Sequence, residues 1–158
     1  MKAYDRVAAL AYARRWALGR NPAYYDFTAL GGDCTNFVSQ CLFAGVGVMN
    51  DTSVTGWYYR SASDRTASWT GVEYLYRFLT KNRGSGPVAR PCSLRELRPG
   101  DVIQLGDSSG RFYHCLLVLR PGADPSVAAH DDNALDRALS SYHFERARFL
   151  QIEGGMTE

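Results

Sequence analysis

The segment RFYHCLLVL at residues 111–119 decides the fold class, because it is rich in aromatic and branched side chains and lies between two turn signals. These features predict a long β-strand. Shorter runs of the same character predict further strands at residues 101–105, 127–130 and 148–152. Turn-forming residues at 106–110 and 121–126 separate consecutive runs, so the second half of the chain is predicted to form an antiparallel meander.

The first half of the chain has the apolar spacing of helices instead, and this spacing predicts helices at residues 4–18, 34–44 and 72–82. Asp33 precedes the second helix as a predicted N-cap, and Gly45 follows it as a predicted C′ glycine. Residues 50–70 hold few aliphatic side chains and are predicted to form a long ordered loop. Helices followed by strands, with no linker between them, indicate one α+β domain over residues 1–158, with N-terminal helices packed on an antiparallel sheet.

Composition and charge narrow the possible partners. The chain has 158 residues, 46% of them hydrophobic, and a formal charge of +2 from 18 basic and 16 acidic residues. So small an excess of positive charge argues against binding to nucleic acid. No apolar stretch of the sequence is long enough to span a membrane. Residues 1–6 lack the features of a signal peptide. We therefore expect a monomer that binds neither nucleic acid nor a membrane. Its expected location is the cytoplasm if the chain is complete, and the cell wall or the outside of the cell if the chain is part of a longer secreted protein.

The four cysteines offer one candidate nucleophile and no metal site. Their spacing matches no C-x-x-C or C-x-x-H pattern, so we expect neither a structural zinc nor a cofactor. Cys34 opens the second predicted helix, where unpaired N–H groups and the macrodipole favour a thiolate. The Asp33 carboxylate would oppose that thiolate unless capping absorbs its charge. Alternatively, Cys34 packs in the core, because it shares an apolar stripe with Val38 and Cys41.

Two histidines in the predicted sheet are candidates for the base and its orienting group. His114 lies in the middle of an apolar strand, where an imidazole is either a hydrogen-bonded core residue or functional. His130 ends the next strand. An even hairpin register, such as Leu119 opposite Val127, would place both histidines on one face, whereas an odd register would separate them.

These residues form the parts of a nucleophile, base and orienter system. In that arrangement His114 takes the proton of Cys34, and His130, Asp131 or Asp132 fixes the tautomer of His114. The backbone N–H of Cys34 would stabilise the oxyanion. His143 has no comparable setting, and we expect it at the surface.

Aromatic residues in the predicted loop allow two interpretations. Trp57, Tyr58 and Trp69 could line a cleft in which flat rings contact substrate, and Asp33 joins them as a candidate substrate-binding residue. Equally, the rings could form a satellite core that anchors the loop.

Several motifs carry a family resemblance, namely GGDCTNFVSQ at 31–40, GWYY at 56–59, SWTGV at 68–72, PGDVIQL at 99–105, YH at 113–114 and AH at 129–130. Together they resemble the bacterial putative amidase domain family. The run DCTNFV at 33–38 is also similar to the nucleophile segment of NlpC-type peptidases and CHAP amidases. The resemblance implies a papain-like fold and amide hydrolysis through an acyl-enzyme thioester. It also implies peptides or peptidoglycan fragments as substrates, with Cys34, His114 and His130 as the catalytic residues.

Two other functions are compatible with the same sequence. A cell-wall binding module on this fold would use the aromatic residues and no chemistry. An acyltransferase would use the same three catalytic residues and pass the acyl group to an acceptor other than water.

Overall fold

The computed structural model describes residues 1–157 as an α+β fold, which confirms the predicted class. The helices are α1 (Arg6–Trp16), α2 (Cys34–Val46), α3 (Ala67–Thr70) and α4 (Val72–Lys81), with 3₁₀ turns at Leu94–Glu96 and Leu139–Ser141. The strands are β1 (Tyr59–Ser61), β2 (Asp64–Arg65), β3 (Gly86–Cys92), β4 (Val102–Gly106), β5 (Phe112–Arg120), β6 (Ser126–Ala129), β7 (Ala134–Ala138) and β8 (Arg146–Met156).

The main sheet has six strands in the order β3-β8-β4-β5-β6-β7, and all its pairings are antiparallel. The predicted strands are present as β4, β5, β6 and β8, but β8 pairs with β4 rather than following β6 in the sheet. The neighbour of β6 is β7, which the sequence does not predict. Strand β3 was not predicted, because Pro87 and Pro91 interrupt its sequence. Both prolines are tolerated because β3 lies at the edge of the sheet, where one side of the strand needs no ladder partner.

The strand that decides the fold is buried on both faces. Cys115, Leu117 and Leu119 belong to a core cluster shared with the helices, whereas Leu116 and Val118 belong to a second cluster on the opposite face of the sheet. A strand covered on both sides needs apolar residues at every position, which explains why the segment lacks a clear alternation.

Helix α2 is the buried central helix, and it extends beyond its predicted end. Gly45 lies inside the helix. The position needs a glycine because the ring of Tyr4 occupies the space that a side chain would fill. Gly47 ends the helix with a φ of 77°, a left-handed conformation that glycine adopts without strain. The predicted C′ position at Gly45 is therefore wrong by two residues.

The segment predicted as a long loop contains regular structure. Strands β1 and β2 pair as a short hairpin within it, and α3 follows directly. Among residues 1–157, no helix is both long enough and apolar enough to cross a lipid bilayer.

Candidate active site

The start of α2 meets strand β5 at one end of the sheet. Cys34 is the first residue of α2, and its side chain is 6% exposed. Its sulfur, a ring nitrogen of His114 and a carboxylate oxygen of Asp131 all lie within 4.8 Å of one another. The fold thus brings the predicted nucleophile and the predicted base together across 80 residues of sequence.

The register of the β5–β6 hairpin determines which neighbour accompanies His114. Leu117 pairs with Ala128 and Val118 pairs with Val127, so the register is odd rather than the even one that pairs Leu119 with Val127. When the same pairing is continued past the end of β6, position 131 and not position 130 faces His114. This register explains why Asp131 joins the cluster.

His130 is held away from that cluster by two hydrogen bonds. It is 1% exposed, its Nδ1 lies 2.6 Å from Asp33 Oδ2, and its Nε2 lies 2.8 Å from the carbonyl oxygen of Trp16. A carbonyl oxygen can only accept, so Nε2 carries the proton of the hydrogen bond to Trp16, and Nδ1 is paired with the Asp33 carboxyl group. Since neither nitrogen is left for His114, the predicted hydrogen bond between the two histidines is not formed.

Asp33 is the N-cap residue of α2, as predicted, but its side chain makes no hydrogen bond to an N–H group of the helix. The residue is 1% exposed, so its carboxylate faces the protein interior. Instead Oδ1 accepts hydrogen bonds from the Phe27 backbone N–H and from Asn36 Nδ2, each at 2.9 Å. His130 Nδ1 and the Arg20 guanidinium both face Oδ2, at 2.6 Å and 3.6 Å, so this carboxylate, which stands next to Cys34 in the sequence, has two partners besides the donors to Oδ1.

Asp131 is held in the cluster by contacts of both carboxylate oxygens. Its φ is 84°, in the left-handed region, which aspartate adopts more readily than most residues other than glycine. Its Oδ1 accepts a 2.5 Å hydrogen bond from the backbone N–H of Asp33. Its Oδ2 lies against Gly32, where a Cβ atom would stand only 2.8 Å away.

The protonation states in the resting site favour a thiol beside a neutral imidazole. Burial and then the charge of Asp131 raise the pKa of Cys34 to about 11, which reverses the effect expected from its place at a helix start. Burial also lowers the pKa of His114, against a smaller opposing effect of Asp131. His114 can therefore accept the thiol proton when a reaction begins.

One backbone donor lies next to the sulfur. Cys34 is the first residue of α2, so its N–H has no partner within the helix, and no backbone hydrogen bond among residues 1–157 uses it. The cluster thus combines a thiol, a neutral base, a carboxylate and a free N–H donor. These are the groups that acyl transfer needs as nucleophile, general base, partner of the base and oxyanion donor.

Comparison with known proteins identifies a family for this chain. The family model described as "Putative amidase domain" matches residues 3–152. The chain belongs to the putative amidase domain family. That family description indicates an amidase-like hydrolase.

The chain is also similar to a curated protein, the uncharacterized protein YhbB of Bacillus subtilis (strain 168). It is 37% identical to this chain over 119 residues, which cover 73% of this chain and 37% of that protein. The chain therefore spans little more than a third of that relative's length. No solved structure matches.

The aromatic residues of this amidase-family chain form a core and not a cleft. Trp57 and Trp69 are fully buried, and their ring centroids are 4.5 Å apart. Trp57 Nε1 donates to Ser39 Oγ, and Trp69 Nε1 donates to Asn36 Oδ1. Their burial favours the interpretation as a satellite core over the interpretation as a cleft. Tyr58 remains half-buried, with the guanidinium of Arg60 4.1 Å from its ring centroid.

The tryptophans support the site indirectly. Trp69 binds Asn36, and Asn36 in turn binds Asp33, so a chain of hydrogen bonds runs from the satellite core to the residue before Cys34. Nothing in the sequence separated this supporting role from a cleft, because both need large aromatic side chains. His143 is exposed, as predicted.

The same three side chains that form the cluster could also hold a metal ion. Within the described part of the chain, Cys34, His114 and Asp131 form the one group of three potential metal ligands.

Proposed function

We propose that this chain is a cysteine-dependent amidase with a papain-like fold, in which Cys34 is the nucleophile and His114 the base. The observation that carries the proposal is the approach of the Cys34 sulfur and a His114 nitrogen to within 4.8 Å, together with Asp131. A cysteine at the start of a buried helix and a histidine on a strand of an antiparallel sheet also match the order of functional residues in papain-like enzymes.

In the first half of the reaction, a neutral His114 takes the proton of the Cys34 thiol. The sulfur attacks the carbonyl carbon of the amide, and the oxygen that becomes negative accepts a hydrogen bond from the Cys34 backbone N–H. His114 then gives its proton to the nitrogen of the leaving amine. The C–N bond breaks, and the acyl group remains on Cys34 as a thioester.

In the second half, His114 takes a proton from a water molecule, whose oxygen attacks the thioester. The C–S bond breaks, the acid product leaves, and the sulfur recovers its proton from His114. Asp131 stabilises the imidazolium that forms in both halves, because its carboxylate lies on the same cluster. In this account Asp131, one of the three candidates for the orienting role, takes that role in place of His130.

Peptides of the bacterial cell wall are the proposed substrate class. Support comes from the similarity of residues 33–38 to the nucleophile segments of NlpC-type and CHAP enzymes, which act on such peptides. The site itself argues only for an amide carbonyl.

The test is hydrolysis of purified peptidoglycan and of its soluble peptide fragments, followed as new amino groups and by mass spectrometry of the products. We expect Cys34→Ala to lose activity by at least about 10³-fold, since no other group replaces the nucleophile. Cys92→Ala is the matched control, because Cys92 lies in the edge strand β3 outside the cluster.

Full activity in a folded Cys34→Ala protein would overturn the proposal. Binding of the fragments without any hydrolysis, equal in wild type and Cys34→Ala, would favour the binding module instead. Products that carry an added amine would indicate transfer to an acceptor other than water.

A further inference from the structure

We propose that Cys34, His114 and Asp131 form a Zn²⁺ site, and that zinc bound there reversibly blocks the nucleophile. Binding rests on the geometry of the three side chains alone, whereas the block rests on the proposed function. The two parts can therefore be tested apart from each other.

The spacing of the three ligand atoms suits a small cation. All three lie within 4.8 Å of one another. Zinc bonds of about 2.0–2.3 Å in a tetrahedron place two ligand atoms about 3.5 Å apart, so each pair needs to close by no more than about 1.3 Å. Changes in the χ1 angles of Cys34 and half-buried His114 supply a movement of this size while the Asp131 carboxylate keeps its position.

The donor types select zinc over the common hard cations. A thiolate and an imidazole are the ligands that zinc prefers, whereas Ca²⁺ and Mg²⁺ prefer sites built from oxygen. The His114 ring offers one of its nitrogens to the cluster with Cys34 and Asp131. On binding, the Cys34 thiol releases its proton to solvent and its sulfur keeps the electron pair that forms the Zn–S bond. No oxidation or reduction occurs.

Outer contacts already hold the carboxylate ligand in place. Asp131 Oδ1 accepts the Asp33 N–H at 2.5 Å, which fixes the carboxylate relative to the start of α2. Asp33 is itself fixed by His130 and Asn36. Outer hydrogen bonds of this kind orient ligands and raise metal affinity, commonly by 10–100-fold as an order of magnitude. Because Asp131 is exposed, water has access to the fourth position.

Zinc bound to these atoms would stop the proposed reaction. The sulfur lone pair would be shared with the ion, and His114 could not accept a proton through the nitrogen that binds the ion. Removal of zinc by a stronger ligand would restore both groups.

The binding test is a titration of the metal-free full chain with Zn²⁺ in competition with a chromophoric chelator, with Mg²⁺ as the comparison ion. We expect one Zn²⁺ per chain and no competition by Mg²⁺. Replacement by Co²⁺ should give a thiolate-to-cobalt absorption band. Cys34→Ala and His114→Ala should each lower the affinity for Zn²⁺ by at least about 100-fold, and Cys34→Ala should remove the band.

Cys92→Ala is the control, since it removes a half-buried thiol outside the cluster and should leave both signals unchanged. Circular dichroism shows whether each variant is folded, and His114→Ala keeps the test valid if Cys34→Ala is not. Zinc binding that survives both substitutions, or that Cys92→Ala abolishes, would overturn the inference.

Activity measurements then separate this inference from the proposed function. Inhibition by one equivalent of Zn²⁺, reversed by a chelator, supports both. Amidase activity that depends on Cys34 in a protein that binds no zinc would overturn the inference and leave the function intact. Zinc binding without any amidase activity would leave the site standing and remove the block. Activation by zinc would contradict the block and the cysteine mechanism together.

Discussion

At the scale of single residues, the site depends on which of two neighbours faces His114. His130 lies between Asp33 and the Trp16 carbonyl, while Asp131 reaches the cluster of Cys34 and His114. One step in hairpin register separates the two outcomes. Substitution of His130 is therefore expected to lower stability, whereas substitution of Asp131 is expected to lower the reaction rate.

His130→Ala leaves the buried Asp33 carboxyl group and the Trp16 carbonyl without their histidine partner and should lower the free energy of unfolding by about 2–4 kcal/mol. Asp131→Asn retains an oxygen that accepts the Asp33 N–H, so its free energy of unfolding should change by less than about 1 kcal/mol. Its kcat/KM should nevertheless fall by at least about 10-fold, because the imidazolium loses its partner charge. Urea unfolding and steady-state kinetics measure the two quantities. The reverse pattern would assign the orienting role to His130.

The pH dependence of the proposed reaction follows from the environment of His114. Only neutral His114 accepts the thiol proton, and burial disfavours its charged form, which lowers its pKa below 6.5. Activity should therefore be retained as pH falls to 6.5 and be lost only at lower pH. A profile of kcat/KM against pH measures this limb, and a limb centred above pH 7 would contradict the assignment.

At the scale of elements, the contact between α2 and the chain before α1 explains where α2 ends. Gly45 lets the ring of Tyr4 and the Asp5 carbonyl approach the helix backbone. Helix periodicity predicts α2 well, but a glycine needed for close packing looks the same in sequence as a glycine that ends a helix. The positive φ that marks the true end belongs to Gly47.

Gly45→Ala is expected to destabilise the protein by about 1–3 kcal/mol, although alanine is normally the better helix residue. The added methyl group would collide with Tyr4 and Asp5. Gly19→Ala is the control, since a Cβ there meets no atom within 4 Å. Thermal unfolding compares the two, and an equal or higher melting temperature for Gly45→Ala would show that the contact is not rigid.

Strand prediction succeeded and failed for identifiable physical reasons. The meander β4–β6 could be predicted because each strand is apolar and turn residues separate the strands. The hairpin register could not, because the pairing shifts by a residue between Val118 and Arg120, and such a bulge leaves no mark in apolar spacing. Consequently Cys34 and His114 could be chosen from the sequence, whereas the choice between His130 and Asp131 needed the structure.

At the scale of the whole molecule, a buried ion pair ties the N-terminal helix to the sheet. Arg6 donates to Asp101 Oδ1 at 2.9 Å and to the carbonyl oxygens of Pro99 and Ile152. Asp101 is fully buried and also accepts the backbone N–H of Ile152. The pair therefore connects α1, β4 and β8, and keeps the layer of helices docked on the sheet.

Arg6→Ala should lower the free energy of unfolding by about 3 kcal/mol or more, because it leaves the Asp101 carboxylate buried without its cation. Arg14→Ala is the matched control in the same helix. Arg14 pairs with Asp136 at the surface, where the loss should stay under about 1 kcal/mol. Urea unfolding at neutral pH measures both, and equal losses would mean that the buried pair adds nothing to docking.

Detection of the covalent intermediate tests the central claim most directly. Wild-type protein quenched in acid during turnover of a wall peptide should carry the acyl group as a thioester on Cys34, identified by peptide mapping and mass spectrometry. The adduct should be absent from His114→Ala. Product formation with no adduct on Cys34, continuing undiminished in Cys34→Ala, would contradict the account.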